Sequence, residues 1–321
     1  MVSKIMKPVW WCVVSVLVCT ACARRPASTT LPAGAAFKVT STLPAVIATE
    51  WIQPSILAGS WYPADAQELA KTVDQYLAAA TVQGGDPVGL IAPHAGYMFS
   101  GAVAGYAFKQ LVGREVDVAV IIAADHQYPI SSPISVWAKG GLTTPLGVVP
   151  VDESLAQALV EAEPRIQFDP RPFKDEHPIE IELPFLQRVC PACKVVPILI
   201  GSEDAKDIQA LVEALLAVLP GRKAVVIASS DLSHYPMYQD AVNVDQQTLE
   251  AVVTGDPERL QAVIQETMKK DVPNLATCAC GESAIRVVMG VAKGLGADKV
   301  SVLKYANSGD VEGGDKTRVV G

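Results

Sequence analysis

KAVVIASSDLSHYP, residues 223–236, runs from a short apolar segment straight into Ser229, Ser230, Asp231, Ser233 and His234. A continuous apolar run of this length suits a strand buried on both faces, and the chemistry-bearing residues begin where that strand would end. The arrangement recurs, because VGLIAP (88–93) leads directly into His94 and VDVAVIIAAD (116–125) leads directly into His126. CKVVPILIG (193–201) and VSVLKYANSGD (300–310) read as further strands. Between these runs lie amphipathic stretches: ADAQELAKTVDQYLAAA (64–80), DESLAQALVEAE (152–163), EDAKDIQALVEALLAVLP (203–220) and GESAIRVVMGVAKGLG (281–296). They read as helices, the third stopped by Pro220 and Gly221. The pattern predicts an α/β single-domain sandwich, with a central mixed, largely parallel sheet flanked by helices.

The chain has four histidines, His94, His126, His177 and His234, and three of them follow predicted strands. In an open α/β sheet the carboxyl ends of the strands form the crevice where ligands bind. Imidazoles delivered there converge if their strands are neighbours, which points to a metal site. Two histidines want a third, anionic ligand, and Asp125, Glu176, Glu180, Asp231, Cys278 and Cys280 are the candidates. Asp125 and Asp231 could equally orient the imidazoles beside them. LATCACGESAI (275–285) places Cys280 and Gly281 just before a helix, whose N-terminus is expected to lower the thiol pKa.

With 321 residues, half of them apolar, the chain can bury a large core, and a net charge of -8 without a basic run argues against a nucleic-acid partner. The N-terminus has Lys4 and Lys7, an apolar run from Val9 to Val18, and VCTAC ending at Cys22. This is the layout of a leader, and VCTAC resembles a bacterial lipobox. Residues 1–22 are therefore expected to be a lipoprotein-type signal peptide, 23–52 a flexible linker and 53–321 the folded domain. The product would be an exported cell-envelope lipoprotein, membrane-anchored through lipid on Cys22. In such a compartment VCPACK favours a structural disulfide between Cys190 and Cys193. A Cys278–Cys280 disulfide would remove a thiolate ligand and switch a metal site off.

AGSWYP (58–63), PHAGYMFSG (93–101), DEHPIEIELPFLQ (175–187), SSDLSHYP (229–236) and the Cys280-Gly281 pair occur in this order, and together they resemble the Memo family, called AmmeMemoRadiSam system protein B in bacteria. The resemblance implies a fold similar to that of the class III extradiol dioxygenases (LigB-like), whose site is non-haem iron held by two histidines and a carboxylate. It implies that His94, His126 and Cys280 bind metal, with Cys280 standing where the dioxygenases have a carboxylate. His234 matches the acid/base histidine, Asp231 lies beside it, and His177 lines or supports the site. ADHQ departs from the family's usual Pro-Ser-His or Pro-Asn-His by placing Asp125 before the histidine.

Fe(II) is the cofactor this implies, and a soft thiolate ligand admits copper. The expected activity is a metal-dependent, dioxygenase-like oxidoreductase on a small phenolic or other chelating molecule. The alternatives are an adaptor that binds a peptide ligand without converting it, or a copper- or iron-handling redox protein. Trp61 and Tyr62 could close a core edge or line the cleft. Glu180 and Glu182 alternate with Ile181 and Leu183, and which of them faces His177 is left open.

Overall fold

The computed structural model describes residues 51–127 and 133–321, together with residues 16–20 as a backbone strand. In chain order the elements are β1 (Val16–Thr20), β2 (Ile52–Gln53), α1 (Ala66–Ala79), β3 (Pro87–Ala92), α2 (Tyr97–Lys109), β4 (Val118–Ala124), β5 (Ile134–Val136), β6 (Gly141–Thr144), β7 (Gly147–Pro150) and α3 (Glu153–Ala162). They continue with β8 (Ile166–Phe168), α4 (Leu183–Val189), β9 (Lys194–Ile200), α5 (Ala205–Val218), β10 (Ala224–Ser229), α6 (Tyr238–Val253), α7 (Pro257–Met268), α8 (Glu282–Gly294) and β11 (Ala297–Val302).

Local chemistry sets several of these boundaries. Asp65, Asp152, Asp204 and Asp256 each cap the helix that follows by accepting from its first free backbone N–H groups. Pro257 then opens its helix, where a missing N–H costs nothing. The strands form where Val, Ile and Ala run without a polar break, and Val120, Ile121, Ile122 and Ile227 are fully enclosed. Each such side chain contributes roughly 1.5–3 kcal/mol on burial.

The main sheet runs in the order β11-β1-β3-β10-β4-β9-β5-β8. Its centre, β3-β10-β4-β9, is parallel throughout, while β5 runs antiparallel to β9 and β1 runs antiparallel to both β3 and β11. A small second sheet has the order β2-β6-β7. Helix α8 packs across β3, β10 and β4, and α1, α2 and α4 pack together. This is the α/β sandwich with a mixed, largely parallel sheet that the strand and helix pattern predicts. The consequential detail is that β10 lies between β3 and β4, so the three strands that end in His94, His126 and the Ser229–His234 segment are immediate neighbours.

Strand β1 lies inside the segment read as a leader, so a chain processed before Cys22 would lack it. The rest of that segment, Cys22 itself and the linker up to residue 50 lie outside the described residues. The strand expected over 300–310 ends at Val302, and the chain beyond it lines the cleft described below. Helix α2 has no polar face, which is why no amphipathic stripe marks it. Gly101 and Gly105 let it lie against Tyr76, where an added Cβ would come within 2.4 Å of the ring and 2.9 Å of the Tyr76 carbonyl oxygen. Cys190 and Cys193 are disulfide-bonded between α4 and β9, as the spacing favoured. Among the described residues no helix is long and apolar enough to cross a membrane.

Candidate metal centre

The carboxyl ends of β3, β10 and β4 open into a cavity of about 1430 Å³ whose lining includes His94, His126, His177, Asp231, His234 and Cys280. His94 begins the loop after β3. Its backbone N–H donates to Asp231 Oδ1 at 2.8 Å, and the Ala95 N–H donates to the same oxygen at 3.2 Å. Asp231 thus clips the loop after β3 to the loop after β10, with its other oxygen 4.0 Å from His94 Nε2. Burial raises the Asp231 carboxyl above the usual carboxylate range.

Cys280 arrives from the loop before α8 and brings its Sγ to 3.1 Å from His94 Nε2. Gly281 makes this approach feasible. Its N–H donates to Ser230 Oγ at 2.9 Å, and a Cβ there would lie 2.7 Å from both the Ser229 carbonyl oxygen and the Ser230 Cβ. The Cys280 thiol is pushed up to about 12 by burial first and the Asp231 charge second. The expectation that the helix N-terminus lowers it is therefore corrected: burial outweighs the helix end, and only a bound cation would draw off the proton. Cys278 does not share this position. It is fully buried, its Sγ 3.7 Å from Met268 Sδ, and both cysteines are free thiols, so the Cys278–Cys280 disulfide is not formed.

His126 is presented by the loop after β4 and is held by Glu176. Its backbone N–H donates to Glu176 Oε1, and its Nδ1 lies 3.2 Å from Glu176 Oε2. A carboxylate that grips both groups of one histidine fixes the ring's orientation and leaves Nε2 as its ligand atom. Asp125 turns elsewhere, accepting from the Gln127 N–H. His94 Nε2 or Nδ1, a ring nitrogen of His126 and Cys280 Sγ lie within 4.8 Å of one another. Burial, then the charges of His126 and His234, lower His94 to about 3, so it is neutral at physiological pH and able to donate a lone pair.

His177 stacks on His126 with ring centroids 5.0 Å apart and meets His94 edge-on at 5.2 Å. It too is lowered to about 3, mainly by burial and then by His94 and His126. His126, Glu176 and His177 form a second grouping of donor atoms. Glu176 is already committed to His126 there, so the set reads as support for the first. Trp61 packs on His177 at 4.7 Å, and both Trp61 and Tyr62 line the cleft, Tyr62 from a buried position with its hydroxyl on Glu180.

His234 lies on the same cavity with its Nδ1 3.0 Å from the Leu232 carbonyl oxygen. A carbonyl only accepts, so Nδ1 carries the proton and Nε2 offers a lone pair. Tyr235 follows in a left-handed backbone conformation, φ 77°, held by its N–H on the Val319 carbonyl, and the Arg318 guanidinium stacks on its ring at 4.0 Å. Sequence reasoning missed Arg318, and it read Ser229 only as part of the polar run that follows the strand.

The donor set fits a metal ion. Two imidazole nitrogens and one sulfur come from three adjacent loops, next to a large open cavity and with second partners already in place on His126 and His94. A family model described as Memo-like protein matches residues 53–321. A MEMO1 family protein of Pyrobaculum aerophilum is 33% identical over 273 residues, covering 82% of this chain and 94% of its own. One of Sulfurisphaera tokodaii is 37% identical over 235 residues, covering 72% and 79%, and one of Thermotoga neapolitana is 31% identical over 284 residues, covering 84% and 97%.

Proposed function

This chain belongs to the Memo family, and from that premise we propose that it is a mononuclear metalloprotein. His94, His126 and Cys280 are its ligands, and its activity is a dioxygenase-like oxidation of a small chelating phenol. The observation that carries this reading is the convergence of three donor atoms within 4.8 Å, two from the loops after β3 and β4 and one from the loop before α8, beside a cavity of about 1430 Å³. Fe(II) held there would supply open positions for a bidentate substrate and dioxygen.

The chain's own residues do the rest. His234 Nε2 accepts a proton from a phenolic hydroxyl entering the cleft, because Nδ1–H is tied to the Leu232 carbonyl. Asp231 keeps the two loops in register. Trp61 and His177 form an aromatic wall against which a planar ring can lie. Arg318, stacked on Tyr235 at the cleft, offers guanidinium N–H donors to an anionic substituent.

Metal content by mass spectrometry on anaerobically purified protein, beside His94→Ala and Cys280→Ser, tests the site, and oxygen uptake with catechols tests the reaction. Near-stoichiometric iron lost in both variants is the expected result. Absence of bound metal under reducing conditions overturns it in favour of a groove that binds a peptide without converting it. The soft sulfur of Cys280 supports a second reading, copper handling, which stoichiometric copper in place of iron would favour. We place the protein at the cell envelope on the leader-like N-terminus alone, and incorporation of labelled lipid lost in Cys22→Ala tests that placement.

A further inference from the structure

Ser229, the last residue of β10, is fully enclosed and touches three polar groups at once. Its Oγ lies 2.6 Å from the Pro178 carbonyl oxygen, 2.8 Å from Glu182 Oε1 and 3.1 Å from His94 Nδ1. A hydroxyl has one hydrogen to give and two lone pairs to offer. The Pro178 carbonyl can only accept, and at the shortest of the three distances it takes that hydrogen. The other two contacts are then satisfied only if Glu182 and His94 are the donors. Glu182 must therefore present an O–H, and His94 must carry its proton on Nδ1.

Two further observations agree. The Glu182 side chain is fully buried, and among the described residues its Oε2 has no hydrogen-bond partner. A carboxylate there would be a charge with one oxygen bare, whereas an acid leaves only a carbonyl oxygen unpaired. Burial pushes the Glu182 carboxyl well above the usual carboxylate range.

We propose that Ser229, its hydrogen committed to the Pro178 carbonyl and left uncontested by a protonated Glu182, is a positioning residue that holds His94 in its Nδ1–H tautomer and keeps Nε2 available as a donor atom. The consequence for metal binding rests on the ligand set proposed above. The tautomer is a property of the metal-free chain and stands or falls separately.

The test uses the full chain, metal-free and labelled with 15N-histidine, and reads the His94 tautomer by NMR, with His94→Gln assigning the signal. Wild type and Glu182→Gln, whose amide can still donate to Ser229, are expected to show Nδ1–H. Glu182→Met, which leaves the Ser229 hydrogen on the Pro178 carbonyl, is expected to keep it, and Ser229→Ala is expected to lose it. Titration with Co(II) is then expected to show affinity weakened roughly 10–100-fold in Ser229→Ala and within about threefold of wild type in Glu182→Gln. A wild-type Nε2–H tautomer or an unchanged tautomer in Ser229→Ala would overturn the inference. If Glu182→Met does not fold, Ser229→Ala, which removes one hydroxyl, decides it alone. A chain that shows the Nδ1–H tautomer but takes up no Co(II) refutes the metal centre and leaves the relay intact.

Discussion

Replacing Glu176 with Gln changes one atom, and the geometry dictates a loss larger than that edit suggests. Glu176 accepts two hydrogen bonds from His126, one from the backbone N–H at Oε1 and one from the ring at Oε2, where Nδ1 lies 3.2 Å away. The backbone N–H cannot become an acceptor, so the single amide oxygen of a glutamine must turn towards it. The amide NH2 then faces Nδ1. Either two donors confront each other, or His126 moves its proton to Nε2, the atom left for a metal. Confronting a donor with a donor at the buried Glu176 position costs about 1–3 kcal/mol. At about 1.4 kcal/mol per tenfold, metal affinity should fall roughly 10–100-fold, the range seen when the outer partner of a ligating histidine is removed. Competition titration with a chromophoric chelator and Co(II) measures it, with the urea unfolding midpoint as the control for fold. Affinity unchanged within about threefold in a folded Glu176→Gln protein would refute the argument that this carboxylate sets the ring of His126.

Gly281→Ala places a Cβ 2.7 Å from the Ser229 carbonyl oxygen and from Ser230 Cβ, so the Cys280 loop must retreat. Co(II) affinity should drop at least tenfold, and a normal affinity would show that the loop yields without moving the sulfur. Glu180→Ala removes the acceptor for Ser55 Oγ, the Ile56 and Leu57 N–H groups and the Tyr62 hydroxyl. Unfolding free energy should fall by about 3–5 kcal/mol in denaturant titration, with Trp61 becoming more mobile, and a loss under about 1 kcal/mol would contradict the clamp. Asp245 is raised to about 6, chiefly by burial. Its folded form binds the proton more tightly than the unfolded chain, so this group's penalty is absent below about pH 4 and complete above about pH 6, weakening the metal-free protein by about 3 kcal/mol across that window. Urea unfolding of wild type against Asp245→Asn from pH 4 to 7 should show the difference appear over that span, and a constant difference would refute it.

Particular residues show what could be read in advance. The runs before His94, His126 and Ser229 announce buried strands because both faces of a central strand need apolar side chains, and that pattern is local. Helix caps such as Asp65 and Asp204 are local as well. Helix α2 escaped because its faces are alike, and the small sheet of β2, β6 and β7 escaped because two to four residues carry too little pattern. The thiol of Cys280 was misjudged because a helix end is visible in the sequence, whereas the burial that outweighs it is not.

Sequence alone therefore determined which residues stand at strand ends, that imidazoles were available there and that a cysteine stood before a helix, since strand period, capping and loop entry depend on neighbours within a few positions. Strand order was decided only in three dimensions. It places β10 between β3 and β4 and brings Cys280 to His94 across a separation of 186 residues. Glu180 and Glu182 show the same division at one turn. They sit two positions apart on a 3-10 turn, and the fold sends one to the Ser55–Tyr62 loop and the other to Ser229. Their difference in role comes from which segments happen to lie on each side of that turn, and no pattern in the chain records it.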